Sequence, residues 1–250
     1  MNTNNEIGTK SNISLRNAAL IAGLGYLIIF ITGIFANFFV IEDLIVPGNA
    51  ATTVSNIAAN ESLYRIGILS FIIMVIFDVV LAWALYILLK PVNKSLSLLA
   101  AWLRLINATI FGIALHNLLN VLLLINGVDY STVIGTDQLH AQAMLYLDAF
   151  NYTWLLGLVF FAIHLFVLGY LAFKSGYIPR FIGALLIIAG IGYLVDSMAH
   201  FLLPDYADYK TIFSTIVVVP GAIGELSFTI WLLVKGSRMP ELKGKCDHNY

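Results

Sequence analysis

The chain has 250 residues, 60% of them hydrophobic and only 11% charged, with a net charge of −1 and a mean hydropathy of +0.90. Soluble domains carry roughly 25% charged residues, so this composition excludes a water-soluble globule and makes the protein integral to a membrane. The near-zero net charge gives no footprint for a nucleic-acid partner, and the single cysteine, Cys246, excludes an intrachain disulfide.

A bilayer core of about 30 Å is crossed by roughly 20 apolar residues in a helix. Six segments meet that length: Ala18–Val40, Tyr64–Leu89, Leu96–Ile125, Tyr152–Phe173, Pro179–Leu203 and Thr211–Val234. The first is too long for a signal-peptide core and reads as an uncleaved span. The runs are continuous rather than alternating, which argues for helices against barrel strands. Between spans 1 and 2, Val46-Pro47-Gly48-Asn49 is a turn, and the alanine-rich stretch to Glu61 predicts a short surface helix. Lys90 to Lys94 and Lys174 to Pro179 are short turns that make tight hairpins of spans 2–3 and 4–5. Thr136 is placed to cap a helix leading into span 4. The chain therefore reads as an all-α bundle of six transmembrane helices over 18–235. Polar segments flank it at 1–17 and 236–250. Cys246 lies in the second, which does not end in a prenylation box.

Orientation follows from lysine and arginine. Threading six helices puts Lys10, Arg16, Lys90, Lys94, Lys174, Arg180, Lys235, Arg238, Lys243 and Lys245 on one side. Only Arg65 and Lys210 fall on the other. The richer side is expected to be cytoplasmic, with both termini on it, in a bacterial cytoplasmic membrane. The bilayer itself is the one partner that can be read.

Four ionisable residues lie deep inside the spans: Asp78, Arg104, His164 and Glu225. A charge at the centre of a membrane helix costs about 2.5–3.5 kcal/mol by insertion measurements, so such groups pair or line polar cavities. Counting 1.5 Å per residue from the nearest basic anchor puts Asp78 about 18 Å up and the other three about 15 Å up. Four helices thus contribute to one level. Asp78 and Arg104 share a hairpin and suit an ion pair. Glu225 follows Pro220-Gly221-Ala222-Ile223-Gly224, where the proline frees a carbonyl and breaks or kinks span 6, and the glycines permit close approach. His164 reads first as an interhelical hydrogen-bonding group.

A second set stands nearer the opposite face: His116 and Asn120 on span 3, and Tyr193, Asp196 and His200 on span 5. Two i,i+4 pairs present ligands on one side of each helix, so His116, Asp196 and His200 form a weak candidate site for a divalent metal. A solvated, hydrogen-bonded vestibule is the first reading of this set, ahead of the metal, and no other cofactor is indicated.

Four stretches carry a family resemblance. They are NAALIAGLGYL from Asn17 to Leu27, LIVPGNA from Leu44 to Ala50, YILLKPVNKSL from Tyr86 to Leu96, and GYLVDS from Gly192 to Ser197. In these the chain resembles a family of bacterial membrane proteins catalogued as domain of unknown function 4386, over about Asn17 to Lys235. The resemblance implies one membrane domain and supplies no activity or catalytic residues. The residues themselves suggest three roles: small-solute or proton and ion transport through the intramembrane site, a non-catalytic accessory or regulatory role, or a metal-dependent membrane hydrolase. The two non-enzymatic readings stand ahead of the enzymatic one.

Overall fold

The computed structural model describes residues 13–127 and 135–236. Among the described residues six helices are long and apolar enough to cross a membrane. These are α1 (Leu15–Ala36), α3 (Glu61–Leu89), α4 (Lys94–Asn126), α5 (Thr136–Lys174), α6 (Arg180–Leu202) and α7 (Tyr206–Val234). A short helix, α2 (Ala50–Ala59), lies between the first two. No strand occurs among the described residues. The flanking segments and Cys246 lie largely outside them.

Local chemistry sets the helix ends. Ser14, Asn49 and Asn93 each accept from a backbone N–H one turn ahead, as N-caps do, at 3.2, 3.0 and 2.9 Å. Thr136 does not take the expected capping role. The N-cap is Gly135, at φ 69°, and Thr136 is already helical. α5 runs on from there without a break, so the segment before span 4 and the span itself are one helix. α1 continues through a π-helical turn, Asn37–Ile41, and one further α-helical turn, Glu42–Leu44. α7 also passes through Pro220 without ending, so span 6 is an uninterrupted helix rather than a broken one.

The helices form a closed ring in which α1 packs on α3, α3 on α4, α4 on α5, α5 on α6, α6 on α7 and α7 back on α1. The first and last described residues lie at the same end of the ring, called here the terminal end, where a Cβ on Gly236 would lie 2.8 Å from that of Ala19. Small residues let neighbouring backbones approach. A Cβ on Gly169 of α5 would meet the Gly183 carbonyl oxygen of α6 at 2.7 Å. At the terminal end the Tyr177 hydroxyl donates to the Leu88 carbonyl at 2.6 Å, tying the α5–α6 turn to α3. Burial pushes the Tyr177 phenol up to about 12, so it remains a donor at neutral pH.

Two apolar cores stack along the ring axis. The core at the terminal end draws Ala22, Leu85, Leu168, Leu186 and Phe228 from α1, α3, α5, α6 and α7. The core at the far end draws Ala36, Phe71, Leu118 and Phe150 from α1, α3, α4 and α5, together with residues of α2. No buried residue of α6 or α7 joins it. The far halves of these two helices therefore stand to one side, and between the cores the ring has a waist.

Candidate functional site

The waist is polar. Each helix of the ring contributes one side chain: Tyr26 from α1, Asp78 from α3, Arg104 from α4, His164 from α5, Tyr193 from α6 and Glu225 from α7. Arg104 is the hub and is 1% exposed. Its Nη2 donates to Asp78 Oδ1 at 2.6 Å in a fully buried ion pair. Its Nη1 lies 3.3 Å from the Tyr26 hydroxyl oxygen and 3.3 Å from His164 Nε2. The guanidinium carbon also sits over the rings of Tyr26 and Phe161, at 5.1 and 5.4 Å from their centroids. Such contacts hold a cation in a dry site.

The His164 ring is oriented by its other nitrogen. Nδ1 stands 2.8 Å from the Ala100 carbonyl oxygen, which only accepts. The proton therefore sits on Nδ1, and Nε2 accepts from Arg104. His164 is an interhelical hydrogen-bonding group, as its sequence setting indicates, and it also serves the arginine. Glu225 has a different support. The Tyr193 hydroxyl donates to its Oε1 at 3.0 Å, and Glu225 makes no ion pair among the described residues. Gly221 leaves room for that phenol, since a Cβ there would lie 3.0 Å from the Tyr193 hydroxyl.

Beside this cluster, toward the far end, is a cavity of about 350 Å³. Asp78, Arg104, Tyr193 and Glu225 lie at its polar end, with Asn107 one turn beyond Arg104. Its walls are apolar, including Ile29 and Ile34 of α1, Phe111 of α4, Trp154 of α5, and Val218 of α7. Phe111 and Trp154 stack at 3.7 Å between ring centroids, which makes that wall rigid. Asn107 donates from Nδ2 to the Gly157 carbonyl at 3.1 Å and leaves Oδ1 without a partner.

The central four candidates thus come together, and Tyr193 joins them. The sequence places Tyr193 with the outer set, but its ring reaches back toward the waist. The rest of the outer set divides. His116 lies on the exposed side of α4, and Asn120 is partly buried. Asp196 of α6 accepts from the Tyr206 hydroxyl at 2.7 Å. His200 packs edge-on against Tyr152 and Tyr206. Among the described residues no three His, Cys, Asp or Glu side chains are grouped to hold a metal ion. α5 packs between α4 and α6, so His116 belongs to a different helix pair from Asp196 and His200. The weak metal candidate of His116, Asp196 and His200 does not come together among the described residues.

Two residues of the site escape a search for charges: Tyr26 and Asn107. Both are neutral and so ordinary inside a membrane helix. Depth was the available signal, because Tyr26 stands ten positions after Arg16, the spacing that marks Arg104 after Lys94.

The family model described as "Domain of unknown function (DUF4386)" matches residues 21–236. An uncharacterized protein of Archaeoglobus fulgidus is 34% identical over 175 residues, covering 70% of this chain and 86% of its own. That relative is archaeal, so chains like this one are not confined to bacteria. No solved structure matches. On the extent of the family match, this six-helix membrane protein belongs to the DUF4386 family.

Proposed function

We propose that the protein has a transport-type role, in which a small solute or a proton passes through the bilayer by way of the polar waist. One observation carries this reading: a single guanidinium faces two carboxyl groups. Asp78 takes the ion pair, while Glu225 is held by a neutral phenol at the wall of a cavity. A buried carboxyl without its own cation is neutralised by a proton or a bound ion, because a bare charge there is costly. A neutralising ion that comes from outside the protein makes Glu225 a point of exchange. Asp78 and Arg104 then fix the local field rather than move.

The basic residues support a sidedness for this role. They collect at the terminal end of the ring, which the positive-inside rule assigns to the cytoplasm. On this reading the protein works in a cytoplasmic membrane, with α2 and the far core facing outward.

The test is reconstitution of the full chain in liposomes with a pH-reporting dye trapped inside. A valinomycin-clamped potassium gradient drives proton entry. The wild type should raise proton flux above that of protein-free vesicles, and Glu225→Gln should remove the increase. Unchanged flux in Glu225→Gln, across ions and pH gradients, would count against the reading. A non-catalytic accessory role is favoured by one observation only. The Asp78–Arg104 pair is so well enclosed that it serves as an internal clamp whether or not anything moves past it.

A further inference from the structure

The charged groups at the waist do not balance. Asp78 and Glu225 bring two carboxyl groups and Arg104 one guanidinium, and all three line the same cavity. The guanidinium is committed, because its Nη atoms serve Asp78, Tyr26 and His164. The Tyr193 phenol occupies Glu225 Oε1. Glu225 Oε2 accepts no hydrogen bond among the described residues, although Glu225 is only 8% exposed. Nor is Oε2 one of the unpaired polar atoms that the protein encloses completely, which are Arg104 Nε, Asn107 Oδ1 and Ser197 Oγ. This oxygen therefore belongs to the surface that Glu225 gives to the cavity.

What the oxygen lacks is a positive charge. Water offers a hydrogen bond without a charge, and apolar cavities hold water poorly. A metal ion needs a shell of ligand atoms, roughly six to eight oxygens for calcium. Among the described residues no three His, Cys, Asp or Glu side chains are grouped to begin one. An anion would meet two carboxyl groups. A proton on Glu225 balances the charge but makes no use of the walls beside it. Those walls are rich in rings: Phe30 and Phe38 of α1, Phe111 of α4, and Trp154 and Phe161 of α5. Ring quadrupoles attract cations, and Phe161 already does so for Arg104 at 5.4 Å. A cation with an apolar body uses both the open carboxylate oxygen and the aromatic walls.

We propose that the cavity binds a small lipophilic amine as its ammonium ion. The ammonium donates to Glu225 Oε2, and the apolar body lies against the wall made by Phe111 and Trp154. Asp78 stays with Arg104, and Tyr193 fixes the orientation of the carboxylate through its other oxygen. The volume of about 350 Å³ is at the small end of the range for small-molecule sites. At about 30 Å³ per water-sized group it limits the ligand to roughly a dozen non-hydrogen atoms. The proposal rests on the reading of Glu225 as a point of exchange and names the ion exchanged there. Its test is equilibrium binding, which requires no flux.

The experiment measures tritiated phenethylamine bound to the full chain in phosphatidylcholine nanodiscs, with empty nanodiscs as background. Binding should saturate at one amine per chain. Unlabelled phenethylamine should compete, while phenethyl alcohol and phenylacetate should compete at least about tenfold more weakly, the scale of a hydrogen bond to a charged group. Glu225→Gln should weaken binding by about the same factor or more. Ala222→Phe, which fills the cavity from α7 and keeps the carboxylate, should abolish saturable binding. It carries the test if Glu225→Gln does not fold. Equal competition by the alcohol would overturn the proposal, because the cavity would then select shape and not charge. Undiminished binding in Glu225→Gln or in Ala222→Phe would overturn it too, since the amine would then sit elsewhere. Absence of saturable binding, with Glu225-dependent proton flux intact, would reject the amine and leave the transport reading standing with a proton alone. Saturable, Glu225-dependent binding in a protein without flux would keep the amine site and reject the transport reading.

Discussion

At the scale of single residues, the structure turns on how Arg104 is satisfied. Its two Nη atoms reach Asp78, Tyr26 and His164, and two rings flank its guanidinium. Removing one member of a buried pair strands the other charge, which costs about 3–5 kcal/mol. Asp78→Leu should therefore lower stability by that amount. The double variant Asp78→Leu/Arg104→Met should cost less than either single change, because no charge is left behind. Reversible unfolding in detergent micelles, run as a double-mutant cycle, checks this, and additive losses would contradict it. The pair was legible in the sequence, since two charges in apolar runs on one hairpin have few other partners. Tyr26 and Asn107 were not, because a neutral polar residue costs too little in a membrane helix to attract notice. Tyr193 reads from the sequence just below Asp196 and His200, and its long ring carries the hydroxyl away from its own Cα to Glu225.

At the scale of helices, lengths and ends follow from hydropathy and caps, while packing depends on glycines whose partners lie far off in the chain. Gly169 and Gly183 bring α5 and α6 into backbone contact in the terminal half of the ring, which fixes the course of α6 toward Tyr193. Gly169→Leu would place a side chain where the Gly183 carbonyl lies, and overpacking of this kind costs about 1–3 kcal/mol or more. The expected result is a lower thermal midpoint in micelles. Gly112→Leu, in open space on α4, serves as the matched control and should change little. The pairing of α5 with α6 was foreseeable from the short turn between them. The rotation of each helix about its own axis was not, because a continuous apolar run has almost no amphipathic signal to set it. That is why the His116, Asp196 and His200 constellation, plausible on spacing, divides between two helix pairs. Pro220 misled for a related reason: it suggested a break, yet α7 continues through it.

At the scale of the whole molecule, a ring of six helices encloses a polar waist between two apolar cores, and α6 and α7 contribute no buried residue to the far core. An even number of spans returns the chain to the side it started from, and the proposed orientation puts that side in the cytoplasm. Cys246, the only cysteine in the chain, offers a direct check. A membrane-impermeant maleimide should label it in inverted membrane vesicles and spare it in intact spheroplasts, and the opposite pattern would reverse the topology. Six spans and their common polar level could be counted from the sequence. The absence of α6 and α7 from the far core could not, since it depends on helix rotations that an apolar run does not set. The central claim is that Glu225 at the waist exchanges an ion rather than merely locking helices together. The most direct measurement is proton flux through liposomes containing Glu225→Gln, with the thermal midpoint taken on the same preparation. The account predicts flux reduced to that of protein-free vesicles, with a midpoint within a few degrees of wild type, about the shift expected for a change of 1 kcal/mol. Flux equal to that of the wild type would contradict it, as would flux lost only in step with a collapsed midpoint.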